Sequence, residues 1–342
     1  MSDTEAAFRS VLVTGGAGYV GSRLVPCLLE TGYNVTVVDL FWYGREVFGE
    51  WARHPGLRLL ELDIRDAKSL AEAIKGKDAV IHLACISNDP SFDLDPGLGK
   101  SINYDAFEGL LRGAIEGGVR RLVYASSSSV YGVKEEENVT EETTPEPLTD
   151  YSRFKWACER DLQEAETGDM EWIILRPATV CGYAPRLRLD LVVNLLTAHA
   201  LVNRKIKVFG GEQLRPNIHI EDMVRAYLVC LETDSEKVDG QTFNVGYENL
   251  SVMNIARLVG ETLGGENIEL EVVPSDDIRS YHIDSDKIRR ILGFKPQHTV
   301  KDAIRDLAQA YGEGRMPNAL SDRIYSNIQT MKALSNENAK AG

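Results

Sequence analysis

Short apolar runs and longer amphipathic stretches take turns through the first half of the chain. The β-rich runs are Val11-Leu12-Val13, Val35-Thr36-Val37-Val38, Leu57 to Leu62, Ala79-Val80-Ile81 and Arg121-Leu122-Val123-Tyr124. Helix-like stretches lie between them. One opens at Tyr19, one covers Ala67 to Ile74, and one carries Ile102, Ala106, Leu110 and Ala114 on a single stripe. Strands alternating with helices describe βαβ units, a parallel sheet and right-handed crossovers. A further strand fits Glu171 to Leu175, closed by Arg176-Pro177. Beyond it Gly and Pro punctuate more often and the pattern becomes mixed. Val208-Phe209 to Gly211 and Gln241 to Val245 read as short strands. Ile218-His219-Ile220-Glu221-Asp222 opens a helix through Leu231, and Asn254 to Leu263 reads as another. Met316 to Gly342 is polar and reads as a partly disordered tail. The expected class is α/β with a doubly wound parallel sheet.

Composition narrows the function. The chain has 342 residues, 43% of them hydrophobic, enough for one large domain or two intimately packed ones. It carries 52 acidic and 38 basic side chains, a net charge of −14. That balance speaks against a nucleic-acid partner, while helix N-termini and single arginines still serve anionic ligands. Cys27, Cys85, Cys158, Cys181 and Cys230 form no CxxC pair, so no metal site and no disulfide framework is expected. Reduced thiols fit a cytoplasmic protein. The N-terminus lacks a signal peptide's basic and apolar regions, and no apolar run is long enough to span a bilayer, so no membrane partner is expected. His82 and His219 sit in apolar contexts and read as structural.

Gly15, Gly18 and Gly21 form Gly-x-x-Gly-x-x-Gly directly after a strand and at the opening of a helix. The backbone there must turn sharply, let a pyrophosphate approach, then pack a helix on the sheet; each step disfavours a Cβ. The helix start at Tyr19 and Val20 offers free N–H groups and a positive dipole end. Asp39, ending the next strand, suits the adenosine ribose hydroxyls and repels a 2′-phosphate, which favours NAD over NADP. A loop aspartate capping a turn is the plainer reading of Asp39. Asp63-Ile64 follows the third strand, where an acid would face adenine, and Leu83-Ala84 follows the fourth, along the cofactor's path.

Tyr151 and Lys155 share one helix face by their i,i+4 spacing. A neighbouring ammonium and a positive nicotinamide ring would both favour phenolate, so a lowered phenol pKa is expected. Lysine also suits the nicotinamide ribose. An ordinary helix with a buried Tyr and a solvated Lys is the bland alternative. Upstream, Ala125-Ser126-Ser127-Ser128-Ser129-Val130-Tyr131-Gly132 ends the fifth strand, the end that faces the ligand crevice of a doubly wound sheet. A serine there can hold the substrate oxygen that Tyr151 deprotonates.

These stretches, with Leu175-Arg176-Pro177, Arg215-Pro216-Asn217-Ile218-His219-Ile220-Glu221-Asp222 and Leu292-Gly293-Phe294-Lys295-Pro296, resemble the extended short-chain dehydrogenase/reductase family. Within it they are similar to the nucleotide-sugar epimerases and dehydratases, over roughly residues 9 to 310. The resemblance implies a Rossmann-like NAD-binding domain over 9–176, to which segments around 215–245 return. It implies a smaller mixed α/β domain over 177–315 for the sugar nucleotide, then the tail at 316–342. Carried over by position, Ser127, Tyr151 and Lys155 are the catalytic set. Gly15, Gly18, Tyr19, Val20, Asp39, Asp63, Ile64, Leu83, Ala84 and Pro177 join Tyr151 and Lys155 on the cofactor. Asn103, Ser127, Thr179 and Arg215 meet the substrate, with Arg279 a substitute for a second phosphate-binding arginine. The helices near 100–117 and 151–166 commonly pair across a homodimer in such proteins.

The resembling dehydratases carry an Asp-Glu pair just after the catalytic Thr, and the decarboxylases keep the Glu. Here those positions are Ser128 and Ser129, so the pattern looks more like the 4-epimerases of UDP-hexoses and UDP-hexuronates. The resemblance therefore implies transient oxidation at C4 of a nucleotide-diphosphate sugar by tightly held NAD. A net oxidoreductase such as a 4-keto-sugar reductase is the runner-up; a 4,6-dehydratase or a non-catalytic NAD sensor fits less well. Three features stay open. The acidic loop Asn88 to Pro96 matches no subfamily. Arg186 and Arg188 fit a phosphate, a sugar carboxylate or plain solvent. Cys85 and Cys181 fit a thiol acid/base less well than buried structural thiols.

Overall fold

The protein is described by a computed structural model covering residues 8–136, 138–264, 267–275, 280 and 282–341. Seven parallel strands build the main sheet: β1 (Ser10–Thr14), β2 (Asn34–Asp39), β3 (Leu57–Glu61), β4 (Ala79–His82), β5 (Arg121–Ala125), β6 (Glu171–Pro177) and β10 (Gln241–Val245). They lie in the order β10-β6-β5-β4-β1-β2-β3. Strand order reverses between β1 and β4, and in such sheets that is where the C-terminal ends open a crevice.

The apolar runs explain the sheet's burial. Val11 and Val13 face one core with α1 (Gly21–Glu30), α8 (Ile220–Glu232) and α11 (Asp286–Leu292). Leu12, between them, faces the other core with α2 (Ala67–Ile74), α5 (Ala106–Glu116) and α6 (Asp150–Glu164). All three residues are fully buried, as a parallel strand covered on both faces requires. Side-chain caps fix helix starts: Asp66 caps α2, and Thr149 with Ser152 closes a capping box on α6.

A second layer holds β7 (Thr179–Cys181), β9 (Leu214–His219) and β11 (Glu248–Ser251) as one small sheet, with β8 (Lys205–Phe209) paired to β12 (Glu269–Val273). Its core joins α7 (Val192–Asn203), α10 (Val252–Thr262) and α12 (Val300–Gly312). α9 (Ser235–Val238) is a single turn before β10. The helix expected from Ile218 starts at Ile220, because Leu214–His219 pairs as a strand.

Two segments depart from the periodicity reading. The acidic loop folds into two short capped helices, α3 (Asp89–Phe92) and α4 (Pro96–Lys100). Asn88 and Asp95 accept the Ser91 and Leu98 N–H groups at 3.0 and 2.9 Å. The polar C-terminal stretch is not a loose tail: it forms α13 (Asn327–Ala341), with Asn327, Thr330 and Met331 buried.

Candidate active site

One cleft of about 1110 Å³ runs along the C-terminal ends of β1, β2, β4, β5 and β6 and under the second layer. Its cofactor end is built by the turn after β1. Gly15 has φ of +69°, and a Cβ there would lie 2.6 Å from the Ala84 backbone nitrogen. Only glycine lets the turn lie this close to the chain leaving β4. A Cβ on Gly21 would meet the Gly16 carbonyl oxygen at 2.5 Å, so the first turn of α1 also requires its glycine. α1 has no side-chain cap; the Gly18 and Val20 carbonyls take the Ser22 and Arg23 N–H groups at 2.8 and 3.1 Å, so the turn over Tyr19–Gly21 is where an anion can approach the helix start. Asp39 is fixed by the Ala17 and Phe41 N–H groups at 2.9 and 2.8 Å. Burial pushes its carboxyl above the usual range, while those backbone bonds and Arg186 pull it back. A glycine cradle, an uncapped helix start and an oriented acid fit a dinucleotide.

Gly18, Val20, Asp63, Ile64, Leu83, Ala84 and Pro177 line the same cleft. The Asp63 carboxylate is bonded by Arg65, which holds it below its ordinary pKa. Tyr19 lines the cleft too, but its hydroxyl donates to the Gly182 carbonyl at 2.6 Å, so this side chain ties the turn to the second layer.

The serine segment and α6 meet at the middle of the cleft. Ser127 caps a short 3₁₀ turn over Ser128–Tyr131, and its Oγ lies 2.8 Å from Ser129 Oγ. Behind it, Ser126 bonds buried Glu159, which pairs with Arg176 at 2.6 Å, and Arg176 donates to the Tyr131 hydroxyl at 2.7 Å. This buried network anchors the turn that presents Ser127. Lys155 is buried and donates to the Ala125 carbonyl at 2.6 Å.

Tyr151 corrects one expectation. Its phenol is pushed well above the ordinary value, not lowered. Burial is the main cause, with the Cys85 and Asp89 side chains adding to it, while Arg188 and the Ser127 hydroxyl act the other way. The ammonium expected to favour phenolate is held by the Ala125 carbonyl. The free phenol is therefore a proton donor at rest.

On the substrate side, Thr179 and Arg215 line the cleft. Asn103 does not: its side chain bonds the Ile86 N–H and carbonyl at 2.8 and 3.0 Å, so the amide orders the chain after β4 rather than facing a ligand. Arg279 lies outside the described residues. Cys181 is fully buried and its thiol is pushed up by that burial. Cys85 lines the cleft. Among the described residues no group of three His, Cys, Asp or Glu could hold a metal.

Sequence reasoning missed the contribution of α13. Asn327 and Met331 reach the cleft beside Trp42, Tyr43, Ser87 and Asn88. Arg186 and Arg188, left open between ligand and solvent, are both buried in its wall. A lone Asn and Met in a polar helix give no periodic signal, so nothing in the pattern pointed to them.

A glycine turn on an uncapped helix, an oriented acid, and Ser127, Tyr151 and Lys155 on one cleft define an extended short-chain dehydrogenase/reductase. The chain belongs to the NAD dependent epimerase/dehydratase family, whose profile matches residues 11–246, and NAD is its cofactor. It is 28% identical to a UDP-glucose 4-epimerase of Lactobacillus helveticus over 320 residues, 86% of this chain and 94% of that protein. Among solved structures it is similar to the UDP-glucose 4-epimerase of Thermotoga maritima with UDP-glucose. The TM-score is 0.79 at 26% identity, over 89% of this chain and 99% of that one. It is also similar to the dTDP-glucose 4,6-dehydratase of Streptomyces venezuelae with NAD and TYD bound. There the TM-score is 0.81 at 26% identity, over 90% and 98% of the two chains. No helix among the described residues is long and apolar enough to cross a membrane.

Proposed function

We propose that this protein is a nucleotide-sugar 4-epimerase. The observation that carries the reading is the pair Ser128 and Ser129 beside Ser127 at the cleft. A 4,6-dehydratase needs carboxyl acid/bases to eliminate water across neighbouring carbons, and hydroxyls do not replace them. Ser127, Tyr151 and Lys155 retain the groups needed for oxidation and reduction at one carbon. UDP-glucose 4-epimerases among the relatives support the same choice.

Bound NAD supplies reversible hydride acceptance at the sugar carbon. The chain's own residues do the rest. Ser127 Oγ holds the 4-hydroxyl oxygen, and Tyr151 Oη takes its proton as the carbon is oxidised. Burial keeps Tyr151 a neutral phenol in the free chain, so it must be ionised before it can accept that proton; Arg188 and the Ser127 hydroxyl bias it that way, in the same direction as the positive charge of bound NAD. The same Tyr151 returns the proton after the keto sugar has turned over. Lys155 fixes the cofactor's ribose beside that phenol. Arg215 holds the diphosphate, so that the sugar swings about an anchored end.

The protein is expected to purify with NAD bound and to need none added. With UDP-, dTDP-, GDP- and CDP-sugars it should give C4 epimers by NMR with no added cofactor. Tyr151→Phe should abolish turnover and leave NAD content unchanged. A protein that turns over only with stoichiometric NAD or NADH would be a net oxidoreductase, and retained activity in the Phe variant would end the mechanism.

A further inference from the structure

The wall of the cleft facing the glycine turn holds a cation that nothing in the reaction above uses. Arg186 follows β7 in the second layer, yet its backbone N–H donates to Ser22 Oγ on the first turn of α1 at 3.2 Å. Its guanidinium lies over the Tyr43 ring, 3.6 Å from the centroid. Only 2% of the residue is exposed. Nη2 donates to Asn327 Oδ1 of α13, while Nε and Nη1 have no hydrogen-bond partner among the described residues. Buried guanidinium donors without partners are rare and destabilising on their own. Burial and neighbouring Arg188 pull the Arg186 pKa down to about 10, whereas Tyr43 and Asp190 raise it. At neutral pH this is still a cation, set in the wall of the ligand cleft with two buried donors that no described residue satisfies.

Arg188 is a different case. Its guanidinium is closed by Asp190 at 2.9 and 3.2 Å and by Ser87 at 3.2 Å. Arg186 is surrounded instead by the β1–β2 end of the cleft. Ser22 belongs to α1, Tyr43 follows Asp39, and the Arg186 charge acts on the Asp39 and Tyr19 side chains. That neighbourhood is the cofactor end of the cleft, between the start of α1 and Asp39, and not the substrate end around Arg215. Asn327 holds the arrangement from the C-terminal helix. Its Oδ1 accepts from Tyr43 Oη at 3.1 Å as well as from Arg186. Its Nδ2 donates to the Ser87 hydroxyl and carbonyl at 2.8 and 3.3 Å, and its N–H to Asp190 at 3.4 Å.

We propose that Arg186 binds the diphosphate of the dinucleotide opposite the uncapped start of α1, and that Asn327 positions it there. A guanidinium fork and a helix N-terminus then hold the same anion from two sides. The C-terminal helix becomes part of the cofactor site, and the two layers are joined through the bound anion. None of this depends on which sugar carbon is oxidised.

The test is binding, not turnover. NAD, adenosine and UDP are titrated into cofactor-depleted protein, following intrinsic tryptophan fluorescence, to which Trp42 in the cleft wall contributes. Arg186→Gln should weaken NAD by about 10- to 100-fold, as expected when charge-assisted hydrogen bonds are lost. Adenosine, which lacks the diphosphate, and UDP should bind as in the parent protein. Arg186→Lys keeps the charge without the fork and should fall between the two, which preserves the test if the Gln variant fails to fold. Asn327→Ala should weaken NAD by about 2- to 10-fold through a less ordered Arg186. Unchanged NAD affinity in both Arg186 variants would overturn the proposal. So would equal losses for adenosine and NAD, or a loss confined to UDP.

Discussion

Replacing Gly15 with Ala should damage both the fold and the cofactor site, by an amount the geometry separates into two parts. The backbone there is left-handed, and a non-glycine residue in that conformation costs about 1–2 kcal/mol. The added Cβ would also lie 2.6, 2.7 and 2.9 Å from Ala84 N, Ala84 Cα and Leu83 C. These are backbone atoms between β4 and the cleft, and they cannot swing aside as a side chain can. Overpacking of this kind adds about 1–3 kcal/mol. Gly118 supplies the control. It has φ of +74° and nothing within 4 Å of its would-be Cβ, so Gly118→Ala carries the strain without the collision. The smaller unfolded-state entropy of Ala favours both variants alike and drops out of the difference. With about 2.1 cal/mol/K of unfolding entropy per residue, each kcal/mol moves the Tm of a chain this long by about 1.4 °C. Calorimetry should show a fall of about 1–3 °C for Gly118→Ala and about 3–7 °C for Gly15→Ala. NAD titration should show parental affinity for the first and at least about a tenfold loss for the second, because Leu83 and Ala84 line the cofactor's path. Equal Tm shifts together with equal NAD affinities would refute the reasoning.

Two further outcomes follow from buried groups near the site. His82 is buried between Phe107 and Tyr124, with Nδ1 2.7 Å from Thr14 Oγ1; burial, helped by the Lys155 charge, holds its pKa down to about 3 from 6.5. The unfolded chain therefore binds a proton below pH 6.5 that the folded chain refuses, so stability from this group is full above that pH. It should decline by about 1.4 kcal/mol per unit as the pH falls toward 3. Denaturant melts between pH 7 and 5 should show the slope, and His82→Asn should flatten it by that amount; an unchanged slope would remove His82 as the cause. Glu159 is fully buried against Arg176, so Glu159→Gln leaves a buried cation uncompensated and should cost about 3–5 kcal/mol in the same melts. A loss under about 1 kcal/mol would show that the pair does not anchor the Ser127 turn.

The legible part of this protein was whatever forces a residue type by itself. β1 and β4 announced themselves through Val11-Leu12-Val13 and Ala79-Val80-Ile81, because strands covered on both faces need continuous apolar centres. Gly15 and Gly21 were legible because the turn excludes a Cβ, whereas Ser127, Tyr151 and Lys155 were singled out by the motifs that resemble the family, and the structure places all three on one cleft. What escaped depends on contacts between distant segments. Asn103 occupies the expected position, yet its amide closes on Ile86, a choice made by a π-helical turn over Ser101–Asp105 that the Ile102-Ala106 stripe conceals. Tyr151 was expected to titrate low because spacing shows the neighbouring lysine, but spacing shows neither the burial of the phenol nor the Ala125 carbonyl that takes the ammonium. The short helices after β4 did leave a signal, since Asn88 and Asp95 each stand just ahead of a Pro-containing first turn.

The C-terminal helix left none. Among its described side chains Asn327, Thr330 and Met331 are buried; they share one face by spacing, but two of the three are polar, so no apolar stripe marks that face. Its weight lies in where those few residues land. Asn327 touches Tyr43 from the segment after β2, Ser87 from the segment after β4, and Arg186 and Asp190 from the segment after β7. One amide thus meets both layers of the cleft within hydrogen-bonding distance. A residue of that kind constrains the relative placement of the layers more than its own burial suggests, because each partner is itself fixed to a strand end. The cofactor cleft is consequently closed in part by α13, and its geometry depends on how that helix is docked.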